Sequence, residues 1–167
     1  SGSIHMLGKA YTPKNFQFLR SQINMSSGYP NFPWSLTVHE NLRFYGRLYG
    51  LTGINLKRKI EHVVEMFELN DYFDRRFDEL SSGTKQRLSL AKSLLNDPKI
   101  VFLDEPTIGL DPDVAIRTRE VISKVFKEMK VTVLLMTHYM KEAEQMCHRI
   151  AFIKNGEVVT YAPIDQL

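Results

Sequence analysis

Two short stretches hold the residues whose types and spacing could do chemistry. Leu80-Ser81-Ser82-Gly83-Thr84-Lys85-Gln86-Arg87 places hydroxyls and a glycine where a helix begins. The backbone N–H groups of Ser82, Gly83 and Thr84 would there form an anion site suited to a phosphate. Ser81 offers a hydroxyl hydrogen bond, and Gly83 permits close approach to the backbone. The second stretch, Ile100-Val101-Phe102-Leu103-Asp104-Glu105-Pro106, is an apolar run ending in two carboxylates. A strand ending this way delivers both to the C-terminal edge of a sheet, where α/β folds place ligands. Successive strand side chains diverge, so the two need not share a task. Asp104 can hold Mg²⁺ directly or through water, and Glu105 can orient or deprotonate a water molecule. The plainer alternatives are a strand running into an acidic turn and a helix capped by Ser81 or Ser82.

The elements that must position these residues are legible along the chain. Residues 23–27 form a short strand leading into a loop, Gly28-Tyr29-Pro30-Asn31-Phe32-Pro33-Trp34, rich in Gly, Pro and aromatics. Thr37 and Glu40 have capping-box spacing, which predicts a helix from about Glu40 to Tyr49 that ends near Gly50. Ile60, Val63, Val64 and Phe67 recur at helical spacing, so residues 57–69 are expected to be an amphipathic helix. Helices in succession without a strand indicate a helical insert over about 37–97. After Pro98 the pattern changes. Residues 100–103 and 131–136 are expected to be buried parallel strands joined by a helix over about 113–129, with Asp111 at its N-cap and Pro112 in its first turn. Such a crossover is right-handed. A helix over 139–147 follows, and Asn155-Gly156 predicts a closing hairpin. The class is α/β.

Composition bounds the function. A chain of 167 residues can bury a core of its own as one domain. Its net charge of +3 is spread along the sequence, too weak and diffuse to point to nucleic acid. The lone Cys147 cannot form an internal disulfide and fits a reducing compartment. No apolar run approaches the ~18 residues of a membrane span, so a membrane role would come through a partner. Residues 1–6, Ser-Gly-Ser-Ile-His-Met, look like a tag remnant, leaving 7–167 as the domain.

Four motifs in one order carry a resemblance that covers the chain from about residue 20 onward. Residues 100–106 match the Walker B pattern of ABC ATPases, and residues 80–84 resemble their L-S-G-G-Q signature. Gly109-Leu110-Asp111 resembles their D-loop, and His138, after the 131–137 segment, resembles their switch histidine. Leu36-Thr37-Val38-His39-Glu40-Asn41-Leu42 is similar to the family's entry into its helical subdomain. The resemblance implies an incomplete RecA-like P-loop NTPase: a parallel sheet, an α-helical subdomain over about 37–97, a catalytic α/β part over about 98–167, and a C-terminal β-hairpin. It implies ATP and Mg²⁺ as cofactors. Asp104 would be the metal ligand, Glu105 the residue that orients or deprotonates water, and His138 a catalytic residue that polarises the γ-phosphate and senses its loss. Ser81, Ser82, Gly83, Thr84 and Asp111 would serve nucleotide held by the opposite subunit of a head-to-tail dimer. A transmembrane permease is the implied second partner, with no nucleic acid, on the cytoplasmic, inner face of the cell membrane. His39, His62 and His148 lack neighbouring motifs and are read as surface or packing residues.

The departures matter as much. Ser82 and Thr84 stand where the family often has glycine and glutamine. Counting back from Thr37, the glutamine of the family's Q-loop falls at Gly28, and Gln22 lies too early to replace it. Tyr29, Phe32 and Trp34 either pack under the helical insert or line a groove for a transporter's coupling helix. No G-x-x-x-x-G-K-[ST] occurs anywhere, and Gly8-Lys9-Ala10 lacks the flanking glycine and hydroxyl. Either the chain is cut from a longer protein, as its tag-like start favours, or a partner or swapped segment fills the gap.

The function implied is part of a transporter ATPase. Thr107-Ile108-Gly109-Leu110-Asp111 and Glu-Asn-Leu-Arg-Phe-Tyr-Gly-Arg-Leu-Tyr-Gly-Leu at 40–51 are most similar to the exporter branch. ABC-type ATPases of DNA repair or of the ribosome are the alternative. The first separate their motifs with a long coiled coil, and no heptads occur between 37 and 80.

Overall fold

The computed structural model describes residues 2–166. Strands β1 (His5–Met6) and β2 (Lys9–Ala10) pair antiparallel around Leu7 and Gly8, whose φ values are 52° and 72°. His5 and Met6, expected to belong to a tag remnant, are thus hydrogen-bonded into a hairpin. Helix α1 (Phe16–Ser21) leads into β3 (Ile23–Ser27).

Helix α2 (Val38–Leu48) starts two residues earlier than predicted, and its cap explains why. Thr37 Oγ1 accepts from Glu40 N at 3.1 Å while Glu40 Oε2 accepts from Thr37 N at 2.9 Å, so two of the free donors at the helix start are satisfied reciprocally. Helix α3 (Gly53–Met66) turns Leu56, Ile60, Val63 and Val64 inward. This stripe has helical period, as the apolar spacing requires. Two one-turn 3₁₀ segments, Asn70–Tyr72 and Phe77–Glu79, connect it to α4 (Ser82–Ser93).

The remaining elements are β4 (Ile100–Asp104), α5 (Pro112–Met129), β5 (Thr132–Met136), α6 (Met140–Met146), β6 (Arg149–Lys154) and β7 (Glu157–Pro163). Strands β3, β4 and β5 form a parallel sheet in that order, with Ser27, Asp104 and Met136 in register at its C-terminal edge. The hairpin β6–β7 turns through Asn155 and Gly156 at φ 51° and 81°, as Asn-Gly predicts. One contiguous core joins Val63, Phe67 and Leu88 of the helical part to Val101 and Leu103 of β4 and to Ile122 and Val125 of α5.

One expectation fails. Residues 131–136 are too apolar to look like anything but a buried strand, yet Leu134 is 47% and Met136 38% exposed. Among the described residues β5 pairs only with β4, so its other edge and one of its faces are uncovered. The exposed side chains follow from that position, not from their own chemistry.

Candidate active site

Asp104 ends β4 at the sheet's C-terminal edge, half-buried, and Glu105 begins the turn that follows. Glu105 has φ 49°, a left-handed conformation that costs a non-glycine residue about 1–2 kcal/mol. Neighbouring hydrogen bonds hold it there. Glu105 N donates to Met136 O at 2.8 Å, Ile108 N donates to Glu105 O at 3.1 Å, and Gly28 N donates to Asp104 O at 2.7 Å. The left-handed turn swings the Glu105 carboxylate across the end of β5. There its Oε1 meets His138 twice, at 2.7 Å from Nδ1 and at 3.1 Å from the backbone N. Thr137 Oγ1 lies 3.5 Å from Oε2 and accepts from Tyr139 N at 3.0 Å. The hydrogen bond that Glu105 accepts, and then the charge of Glu105, hold the His138 imidazole above its ordinary pKa; desolvation opposes this and the Glu142 carboxylate adds to it.

The structure therefore brings His138 onto Glu105, 33 residues earlier in the sequence and next to Asp104. Ser81, Ser82, Gly83 and Thr84 form a separate group at the start of α4. Ser81 is the N-cap: its Oγ accepts from Thr84 N at 3.2 Å and pairs with Thr84 Oγ1 at 2.9 Å. This corrects the expectation of three free N–H groups, because the Thr84 donor is already used by the cap. Helix geometry leaves those of Ser82 and Gly83 for an anion. Gly83 is buried against α5, where a side chain would come within 2.5 Å of Val114 Cγ1. Its glycine thus serves helix packing as well as any ligand. Asp111 occupies the N-cap position of α5, but its side chain makes no capping hydrogen bond and stays exposed.

Helix α4 is fixed to the sheet behind this group. Ser89 Oγ pairs with Ser26 Oγ of β3 at 2.8 Å, and Lys92 Nζ donates to Met25 O at 2.8 Å. On the other side Arg87 donates to the Glu68 carbonyl at 3.1 Å and to its carboxylate at 3.3 Å, which also takes Arg117 of α5 at 2.6 Å. Sequence patterns miss these links, since isolated serines and surface charges carry no distinguishing spacing. They also miss Thr107, Thr137 and Glu142.

The aromatic loop divides in two. Phe32 is buried edge-on against Tyr45 at 5.3 Å and packs near Phe77, whereas Tyr29 and Trp34 are 73% and 72% exposed. Met25, Ser27, Tyr29, Phe32, Tyr45 and Lys92 line an open cleft of about 290 Å³ beside them.

The comparison with known proteins decides the family. Residues 1–108 match the ABC transporter family. The chain belongs to that family. The match begins at residue 1, so it includes the segment resembling a tag. The Nod factor export ATP-binding protein I of Paraburkholderia xenovorans (strain LB400) is 35% identical over 159 residues, covering 95% of this chain and 52% of that protein. The methionine import ATP-binding protein MetN 3 of Shouchella clausii (strain KSM-K16) is 31% identical, over 98% of this chain and 48% of its own. The chain thus spans about half the length of these relatives. Its fold superposes on cbiO1 from Clostridium perfringens, part of the ABC transporter complex cbiONQ, with a TM-score of 0.90 at 25% identity, covering 99% of this chain and 67% of that one. The ATP-binding cassette MJ0796, solved as a post-hydrolysis dimer with ADP and Pi, shares the fold at a TM-score of 0.79 and 23% identity, covering 98% of this chain and 74% of that one.

The donor set limits which metal this ABC chain could hold. Among the described residues no group of three His, Cys, Asp or Glu side chains could cage an ion. One carboxylate at a sheet edge suits Mg²⁺, which keeps waters and takes its remaining ligands from substrate phosphates. Asp104 fits that role and no all-protein metal site.

Proposed function

We propose that this chain is part of the nucleotide-binding unit of an ABC transporter that hydrolyses ATP to drive transport, with export favoured by the sequence of its 40–51 and 107–111 segments. The observation that carries the reading is the Glu105–His138 contact at the end of β4, one residue beyond Asp104. Asp104 would hold Mg²⁺, which supplies charge neutralisation to the phosphates when bound. Glu105 would position and deprotonate the attacking water. Its Oε1 is occupied by His138, so Oε2, with only the long Thr137 contact, is the oxygen left for that water. His138, exposed on its other side, would face the terminal phosphate.

The helical part, proposed over about 37–97, would present Ser81, Ser82 and Gly83, with Asp111 alongside, to nucleotide held by a second nucleotide-binding subunit. The N–H groups at the start of α4 suit that charge. Tyr29 and Trp34, exposed beside the cleft at Met25 and Tyr45, fit a permease contact at the inner face of the membrane. No helix among the described residues is long and apolar enough to cross a membrane. The short α2 and α3 between residues 37 and 80 fit a transporter better than a coiled-coil ATPase of DNA repair.

Phosphoryl transfer relies on a phosphate loop to hold and align the nucleotide. This chain has no such sequence. The purified chain by itself is therefore expected to bind ATP weakly and turn none over. Robust hydrolysis by the pure 167-residue polypeptide would overturn that expectation of inactivity.

A further inference from the structure

We propose that Thr107 and Glu142 are a positioning pair that holds Glu105 against His138. The proposal rests on the reading of Glu105 as the base, and adds two residues that touch neither phosphate nor metal. Thr107 Oγ1 donates to Glu142 Oε1 at 2.7 Å. Glu142 is 1% exposed, although Glu144, two residues on in the same helix, faces solvent. A carboxylate at such a place costs desolvation that an aliphatic side chain would avoid. What it gains is a fixed point for the hydroxyl two residues beyond Glu105.

The geometry makes a four-cornered frame. One side is the turn 105–107, stiffened by buried Pro106 and closed by Ile108 N donating to Glu105 O. The opposite side is 138–142, where Tyr139 N donates to Thr137 Oγ1 and Glu142 N donates to Tyr139 O at 3.0 Å. Glu105–His138 joins the two sides at one corner and Thr107–Glu142 at the other, in the first turn of α6. Glu105 sits in a strained left-handed conformation, and a turn anchored at one corner only could relax out of it. The second anchor removes that freedom. It also ties the start of the 107–111 loop to the helix that follows His138, so neither moves without the other.

The test uses the chain itself. The imidazole ¹⁵N signals of His138, assigned with a His138→Ala variant, report whether Nδ1 is bonded to Glu105. Thr107→Val and Glu142→Leu are expected to move the Nδ1 signal toward that of Glu105→Gln. Thr107→Ser and Glu142→Gln, which keep a donor and an acceptor in place, are expected to restore it. Circular dichroism and thermal unfolding establish that each variant is folded; Thr107→Val changes shape least and stands if Glu142→Leu does not fold. A folded Thr107→Val chain with the wild-type His138 signal would overturn the proposal. In a polypeptide carrying this chain together with a phosphate loop, Thr107→Val should lower kcat on the order of 10- to 100-fold with KM little changed. A shifted His138 signal with unchanged kcat would uphold the positioning pair and overturn Glu105 as the base, so the two failures are distinguishable.

Discussion

Gly28 packs directly on Glu105: a β-carbon at position 28 would run into the Glu105 carbonyl oxygen and the Ile108 side chain. The same glycine donates its N–H to Asp104 O at 2.7 Å. The loop after β3 and the turn after β4 are thus pressed together, and the strained Glu105 turn has Gly28 as its floor. Position 28 is one that no side chain can occupy without moving that turn.

Gly28→Ala should therefore destabilise the chain by about 1–3 kcal/mol, the usual range for forcing atoms into a packed site. The thermal midpoint should fall by several degrees. The His138 imidazole signals should shift as well, because the displaced turn carries Glu105. An unchanged midpoint and unchanged signals would show that the turn yields freely and that the glycine has no such role.

His138 gives the pH prediction. Glu105, by hydrogen bond and charge, raises the imidazole above its usual value of about 6.5. A raised folded-state value means the native state holds its proton more tightly than the unfolded chain does. The resulting stabilisation is fully present below the unfolded value and is lost as pH rises through the folded one. NMR titration should place the His138 midpoint above about 6.5. Glu105→Gln should bring it down, because the two largest causes of the elevation both come from Glu105. A midpoint at or below the ordinary value in the unsubstituted chain would contradict the geometry.

Arg87 and Arg117 share the Glu68 carboxylate but differ in burial, at 17% and 70% side-chain exposure. Exposed ion pairs contribute at most about 1 kcal/mol. Arg117→Ala should consequently change stability by less than that. Arg87→Ala should cost more, because it also abandons the Phe67 and Glu68 carbonyls and the face of Tyr72. Equal effects in urea unfolding would reject the ranking.

What the sequence made legible was what depends on neighbours along the chain. The capping box at Thr37, the Asn155-Gly156 turn and the strand ending at Asp104 stand as read, because hydroxyl spacing, left-handed φ and apolar runs act locally. Glu105 and His138 are each named through the family resemblance, for separate tasks, and their meeting at 2.7 Å is visible only in the fold. The unread features are those that depend on what packs opposite. Glu142 and Glu144 look alike in sequence and differ only in which side of α6 meets Thr107. Asp111 has the residue type and place of a cap but its carboxylate turns away. Leu134 and Met136 match a buried strand, and the uncovered face of the sheet exposes them.

The central claim is that Glu105 acts as the base beside Asp104. It is tested most directly by steady-state ATP hydrolysis in a polypeptide that carries this chain together with a phosphate loop, comparing Glu105→Gln with the unsubstituted protein. General-base catalysis is worth on the order of 10²–10⁴-fold, and turnover should fall by that factor while nucleotide binding is retained. Wild-type turnover in the Glu105→Gln protein would contradict the account.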